Sequence, residues 1–192
     1  TAGELDNEKA NELGIGRAVN DKVTDTVPNY DGYNYYYFVM RDKLSAGLTF
    51  NPDSVTITIG EDTLESDKDY YVYADKDDAD EDVIGDDTFV IAFENIMDFA
   101  VGKDIVVTYS ATVNSDAVVG VGANTNEISI DYSNNPTKSE RGDVDEDHPG
   151  VPANDENHPV GTTPKDFTDT FTTQITIIKS DGTTKEKLNG VE

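Results

Sequence analysis

From Ile15 onward the apolar residues of this chain alternate with polar ones at a period of two, the spacing of a half-buried strand. "AVNDKVTDTVP" sets Val19, Val23 and Val27 among polar neighbours and stops at Pro28. "GYNYYYFVMRD" reads as an aromatic strand and "SVTITIG" as a strict alternation that turns at Gly60. "DYYVYA", "TFVIAF", "DIVVTYSATV" and "NEISIDYS" follow, rich in Val, Ile, Thr and Tyr and separated by Gly, Asn and Asp clusters. The best helical stretch, "FENIMDFAVG", is short, a helix or only a turn. At least seven short strands with turn signals between them predict an all-β fold, an antiparallel immunoglobulin-like sandwich with long acidic loops.

Three regions depart from this texture. Residues 1–13, "TAGELDNEKANEL", are polar and predict a frayed start or a short helical turn. Residues 75–87, "DKDDADEDVIGDD", form an acidic loop between strands. Residues 139–164 hold four prolines, several acids and both histidines, and predict a long exposed loop or linker. "FTTQITIIK" then reads as another strand. The expected division is residues 1–165 as one sandwich domain, with 139–164 as its acidic Pro-rich loop. Residues 166–192 are expected to hold the final strand and the beginning of a following unit.

Composition narrows the function. Forty acidic against 14 basic residues give a net charge of −26, a field that repels phosphate backbones and anionic membrane surfaces. Nucleic-acid binding is therefore not expected. The chain has no cysteine, so disulfides and thiolate metal sites do not arise. No apolar run approaches the ~18–20 residues of a membrane span, and no signal peptide is apparent; if the native protein is secreted, an internal or mature segment is expected here.

No constellation of an ordinary enzyme is present. His148 and His158 stand in the Pro-rich loop without a serine elbow or a zinc-binding helix around them, and read as solvated. "GIG" at residues 14–16 lacks the third glycine and the helix of a dinucleotide fingerprint. Clustered carboxylates in the acidic loop are the hard oxygen ligands calcium prefers, with Asp75, Asp77 and Asp82 as candidates. Asp80 occupies the position where an EF-hand needs glycine, and the solvated-loop reading is favoured. No cofactor is expected; calcium is the alternative. Packing across strands accounts for Tyr33, Tyr35, Tyr36 and Tyr37, with carbohydrate stacking as the alternative.

Three phrases carry a resemblance. "DKLSAGLTF", "TYSATVN" and "YSNNP", in order and correctly spaced within residues 15–136, resemble the isopeptide-forming D2-type module of Gram-positive, sortase-assembled pilus backbone subunits. "TIIKSDGTTKEKLNGVE" resembles the first strand of a B-type pilin domain, with Lys179 at its lysine position. The resemblance implies a structural shaft module of a pilus subunit on the extracellular, cell-wall-anchored surface. It would join other pilin subunits through sortase in the full-length protein. The lysine-bearing pilin motif and the LPXTG sorting signal are absent from these residues.

It also implies an autocatalytic cross-link. In such modules a lysine amine attacks an asparagine carboxamide, expels ammonia and leaves an amide between side chains, with a nearby acid assisting. Burial favours both reactants, because desolvation lowers a lysine pKa and raises a carboxyl pKa by up to ~3–5 units. The event is a single turnover, so the chain is not an enzyme in the usual sense. The implied electrophile is Asn134, with Asn135 as its alternative, although an ordinary turn at Asn135-Pro136 also explains these residues. Asp42 is the implied acid, with Glu94 as alternative. Arg17 stands where the family's "IGD" has aspartate. On the lysine side of that segment lies Lys9, in a polar context; Lys22 matches no family position, and the lysine could lie upstream of Thr1. Closing so long a loop would stabilise by on the order of 5 kcal/mol. A different class of function is an adhesin module holding host glycan or matrix protein through tyrosines or loops.

Overall fold

The computed structural model describes residues 10–74, 81–118, 120–142, 147–152 and 157–172. Two sheets face each other. One runs β1 (Ala10–Leu13), β11 (Asp166–Thr172), β9 (Gly120–Ser133), β3 (Phe38–Leu44), β7 (Phe89–Phe93) and β6 (Tyr70–Tyr73), with β10 (Val160–Thr162) also on β9. The other runs β2 (Ala18–Thr26), β8 (Asp104–Val113), β4 (Leu48–Ile59) and β5 (Asp62–Thr63). All pairings are antiparallel except β1 with β11. The expected immunoglobulin-like sandwich is the observed architecture.

The alternation read from the sequence becomes the two faces of each strand. On β8, Ile105, Val107, Tyr109, Ala111 and Val113 point inward and are buried. They meet Phe38, Met40 and Leu44 of β3 and Phe89, Ile91 and Phe93 of β7. Phe50 stacks flat on Phe89 with centroids 3.7 Å apart, and Tyr109 meets Phe89 edge-on at 5.1 Å. Each such side chain contributes roughly 1.5–3 kcal/mol by leaving water. The β4–β8 register breaks between Asn51 and Thr56, around Pro52, which has no N–H to give a ladder.

Every residue of β7 is buried, so its outer face is covered too. The cover comes from a short helix, α1 (Glu81–Ile84), and from residues 147–152 of the Pro-rich segment. Ile84 and Val151 pack on Val39, Tyr73, Val90 and Ala92. The Tyr73 hydroxyl donates to the Pro149 carbonyl at 2.8 Å, and His148 packs edge-on against the Tyr73 ring. Gly150 holds φ +78°, and a Cβ there would stand 2.8 Å from the Phe93 carbonyl oxygen. His158 meets Tyr37 edge-on, and Arg141 lies over the Tyr35 ring and pairs with Glu94. The described part of this segment is a strap across the sheet, not an exposed linker. His148 is buried rather than solvated. A stretch with no periodicity hides its burial because ring contacts and backbone carbonyls do the packing.

Other differences are local. The N-terminal stretch read as a frayed start supplies β1, held by parallel pairing to β11. The tyrosine run precedes β3 instead of lying within it: the strand begins at Phe38, and Tyr35, Tyr36 and Tyr37 are buried before it. "FENIMDFAVG" gives one 3-10 turn, Ile96–Asp98, capped by Asn95. The strand read at 171–179 overlaps β11 at residues 171–172, and its remainder, with Lys179, lies outside the described residues.

Candidate functional site

Inward-facing positions on strands of a sandwich are normally apolar, because an unpaired buried polar group costs roughly 1–3 kcal/mol. Three strands break this rule at one place. On β2, Asp21 follows the inward Val19; on β3, Asp42 sits between Met40 and Leu44; on β9, Asn126 precedes Ile128 and Ile130. Register gathers them. Asp21 is opposite Tyr109, Asp42 is opposite Ile128, and Leu44 is opposite Asn126.

The Tyr109 hydroxyl joins two of them. It donates to Oδ2 of Asp42 at 2.5 Å and accepts from Nδ2 of Asn126 at 2.7 Å. Asp42 is 0% exposed, Tyr109 2%, Asn126 7% and Asp21 9%. Three buried oxygens in this group have no hydrogen-bond partner among the described residues: Oδ2 of Asp21, Oδ1 of Asp42 and Oδ1 of Asn126. Asp21, Tyr109 and Asn126 also line a cavity of about 350 Å³, whose rim includes Lys22, Phe167 and Thr168.

Burial sets the protonation. Desolvation pushes Asp42 up to about 8, and the hydrogen bond from Tyr109 opposes this while the Asp21 charge adds to it. Desolvation also raises Asp21, opposed by hydrogen bonding to Asn126. The Tyr109 phenol is pushed far above its usual value by burial and by Asp42 beside it. At neutral pH Asp42 is therefore a protonated acid in a dry interior, bonded to the Tyr109 phenol and interacting with the Asn126 carboxamide, both of which oppose the upward shift. The vacant hydrogen-bonding capacity matches a primary amine, which brings two or three N–H donors. Such an arrangement can bind an amine, keep it neutral, and polarise a carboxamide beside it.

The expected residues do not all meet here. Asp42 is in the group. Asn134 is exposed beyond the end of β9, six positions on from Ile128, the partner of Asp42, a span of ~20 Å along a strand. Asn135 caps a 3-10 turn, its Oδ1 accepting from the Thr137 N–H at 3.0 Å. Among the described residues the carboxamide gathered with Asp42 is Asn126, and not the pair beside Pro136. Glu94 sits past the end of β7, where Arg141 binds it, and does not approach Asp42. Lys22 is exposed on the cavity rim, pointing the opposite way from Asp21. Lys9, Asp75 and Asp77 lie outside the described residues, and Asp82 lies in α1. The buried packing of Tyr35, Tyr36 and Tyr37 against neighbouring rings leaves them no face for a sugar.

The sequence carried a signal for the missed residue. In "NTNEISIDY", Asn124 and Asn126 keep phase with Ile128, Ile130 and Tyr132. The inner-face parity of a carboxamide was the clue. Asn124 is buried as well, but its side chain is spent on backbone groups of Val118 and on the Thr170 carbonyl.

Comparison with known proteins bears on the family and the fold. The profile of the family described as Gram-positive pilin backbone subunit 2, Cna-B-like domain, matches residues 15–136. No curated protein matches the chain. Among solved structures, a C-terminal fragment of the major pilin GBS80 of Streptococcus agalactiae superposes with a TM-score of 0.61. Its identity is 20%, covering 94% of this chain and 57% of that one. The T6 backbone pilin of Streptococcus pyogenes gives a TM-score of 0.58 at 24% identity, covering 91% of this chain and 35% of that one. The pilus backbone of Streptococcus pneumoniae gives 0.52 at 24% identity, covering 69% of this chain and 47% of that one. These likenesses concern the fold, and the chain spans roughly half or less of the pilins it matches first.

Proposed function

Since the chain belongs to the Gram-positive pilin backbone subunit family, we propose that it is a shaft module of a surface pilus, stapled by a Lys9–Asn126 side-chain amide formed with Asp42 as the assisting acid. The carrying observation is the group of three buried oxygens on Asp21, Asp42 and Asn126 that have no hydrogen-bond partner among the described residues. An amine seated among them answers all three.

The family resemblance implies Lys9 as that amine, and its neighbours in sequence have a known register. Ala10, the next residue in sequence, pairs with Asp169 on β11, and Thr168 of β11 pairs with Asn126. Neighbouring strands are ~4.8 Å apart, so β1 and β9 are separated by ~10 Å, a gap a lysine and an asparagine side chain bridge together.

The chemistry follows from burial. A lysine in water is protonated and a carboxamide is a poor electrophile. In the interior the amine loses its proton, and the neutral Asp42 stabilises negative charge growing on the carboxamide oxygen. Packing holds the reactants in contact, which replaces a bimolecular encounter. The product closes a loop of more than a hundred residues and stabilises by on the order of 5 kcal/mol in the loop-entropy picture. An amide is not reducible, which suits a chain without cysteine under tension. In the full-length protein the module would be strung to other pilin subunits outside the cell wall.

Replacement of the amine tests this reading. The folded wild-type chain is expected to be lighter than its sequence by one ammonia, and Lys9→Arg to have its full mass. A Lys9→Arg chain that still loses ammonia would rule Lys9 out.

A further inference from the structure

Resting on that reading, we propose that the Tyr109 hydroxyl is the proton relay of the site, passing a proton from Asp42 to the departing nitrogen of Asn126. The geometry is specific on both sides. Oη stands 2.5 Å from Oδ2 of Asp42 and 2.7 Å from Nδ2 of Asn126, the atom that leaves as ammonia. Asp42 also interacts directly with the Asn126 side chain. The phenol adds a path from acid to leaving group in which both hydrogen bonds are short.

Packing alone does not ask for a hydroxyl here. The Tyr109 ring meets Phe89 and Phe50 edge-on at 5.1 and 6.1 Å, contacts that phenylalanine makes equally well. A hydroxyl so deep in the sandwich is costly unless its bonds are made, and both are made within this group.

The step balances. The neutral lysine nitrogen adds to Cγ of Asn126, and the carbonyl π pair moves to Oδ1. Addition leaves Nδ2 an amine with a lone pair, so both hydrogen bonds reverse. Nδ2 takes the Tyr109 proton, and Tyr109 takes the Asp42 proton carried on Oδ2. The Oδ1 pair re-forms the carbonyl as the Cγ–Nδ2 bond breaks. The new amide nitrogen returns its surplus proton to the Asp42 carboxylate. One C–N bond forms and one breaks; a proton passes from lysine to ammonia, and Tyr109 and Asp42 end unchanged. Burial and the adjacent Asp42 disfavour a free phenolate, so the phenol accepts and donates in concert.

The test uses the 192-residue chain made by cell-free synthesis, with intact mass followed over time at several pH values. Wild type is expected to shed one ammonia, and Tyr109→Phe to do so at least ~10²-fold more slowly while keeping its circular dichroism. The pH profile separates relay from packing. The rate should fall as Asp42 ionises, and in Tyr109→Phe that fall should move to higher pH, because the hydrogen bond that holds Asp42 down is gone. Should Tyr109→Phe not fold, 3-fluorotyrosine at this position keeps ring and hydroxyl; as a stronger donor it is expected to move the fall to lower pH. A Tyr109→Phe chain that reacts at the wild-type rate, or either substitution with an unmoved pH profile, overturns the relay and leaves the cross-link standing. A wild-type chain that never loses ammonia overturns both.

Discussion

Asp42 and Tyr109 belong to opposite sheets, yet the tyrosine hydroxyl donates to the aspartate Oδ2 at 2.5 Å in the middle of the sandwich. An acid that would ionise freely on the surface is thereby held in the core, tied across the interface that the apolar residues create. Its proton and its pKa of about 8 are consequences of burial.

The pH dependence of stability follows. The unfolded chain releases the Asp42 proton near pH ~4, whereas the folded chain keeps it to about 8. Between these values the folded state binds more protons, so this contribution is complete at the acid end and is lost as pH rises through about 8. Asp42→Asn removes the titration. Compared in a Lys9→Arg background, where neither chain carries the staple, the Asn variant is expected to be more stable by ~1–3 kcal/mol at about pH 9, with the difference vanishing near pH 5, in urea unfolding.

Asn126 and Asn134 should behave in opposite ways. Asn126→Ala is expected to retain full mass and to lose about 5 kcal/mol through the missing staple. Asn134→Ala, on an exposed residue, should leave both the mass and the stability unchanged, within ~0.5 kcal/mol. Intact mass and denaturant melts on the two variants make the comparison.

Phe89 underpins the site from below. Phe50 stacks on it at an interplanar angle of 5°, and Tyr109 meets its edge. Phe89→Ala should destabilise by ~3–5 kcal/mol, the range for removing a fully buried aromatic ring, measured by chemical denaturation.

The strap depends on Gly150. A side chain there would combine strain at φ +78° with a 2.8 Å approach to the Phe93 carbonyl. Gly150→Ala should cost ~1–3 kcal/mol and loosen the segment. Arg141, which pairs with Glu94 and covers Tyr35, should then be cut faster in limited trypsin digestion.

Much of this was legible in the residues themselves. Period-two alternation located the main strands, and the "DKLSAGL" phrase pointed to Asp42. Asn134 and Asn135 look conspicuous at the strand end, but neither stands beside Asp42. Parity was the better guide: Asp21 in phase with Val19 and Val23, Asp42 with Met40 and Leu44, and Asn126 with Ile128 and Ile130. Polar residues at inner-face positions on three strands mark a buried site only once register brings them together, and one sequence does not reveal register. The strap was illegible for another reason. Its anchors are the Pro149 carbonyl, a glycine backbone and two histidine rings, none of which leaves a hydrophobic period.

The most direct measurement is tandem mass spectrometry on a digest of the folded chain. The account predicts a branched peptide pair joined between Lys9 and Asn126, one ammonia lighter than its two parts. Separate linear peptides of full mass, or a branch at Asn134, would contradict it.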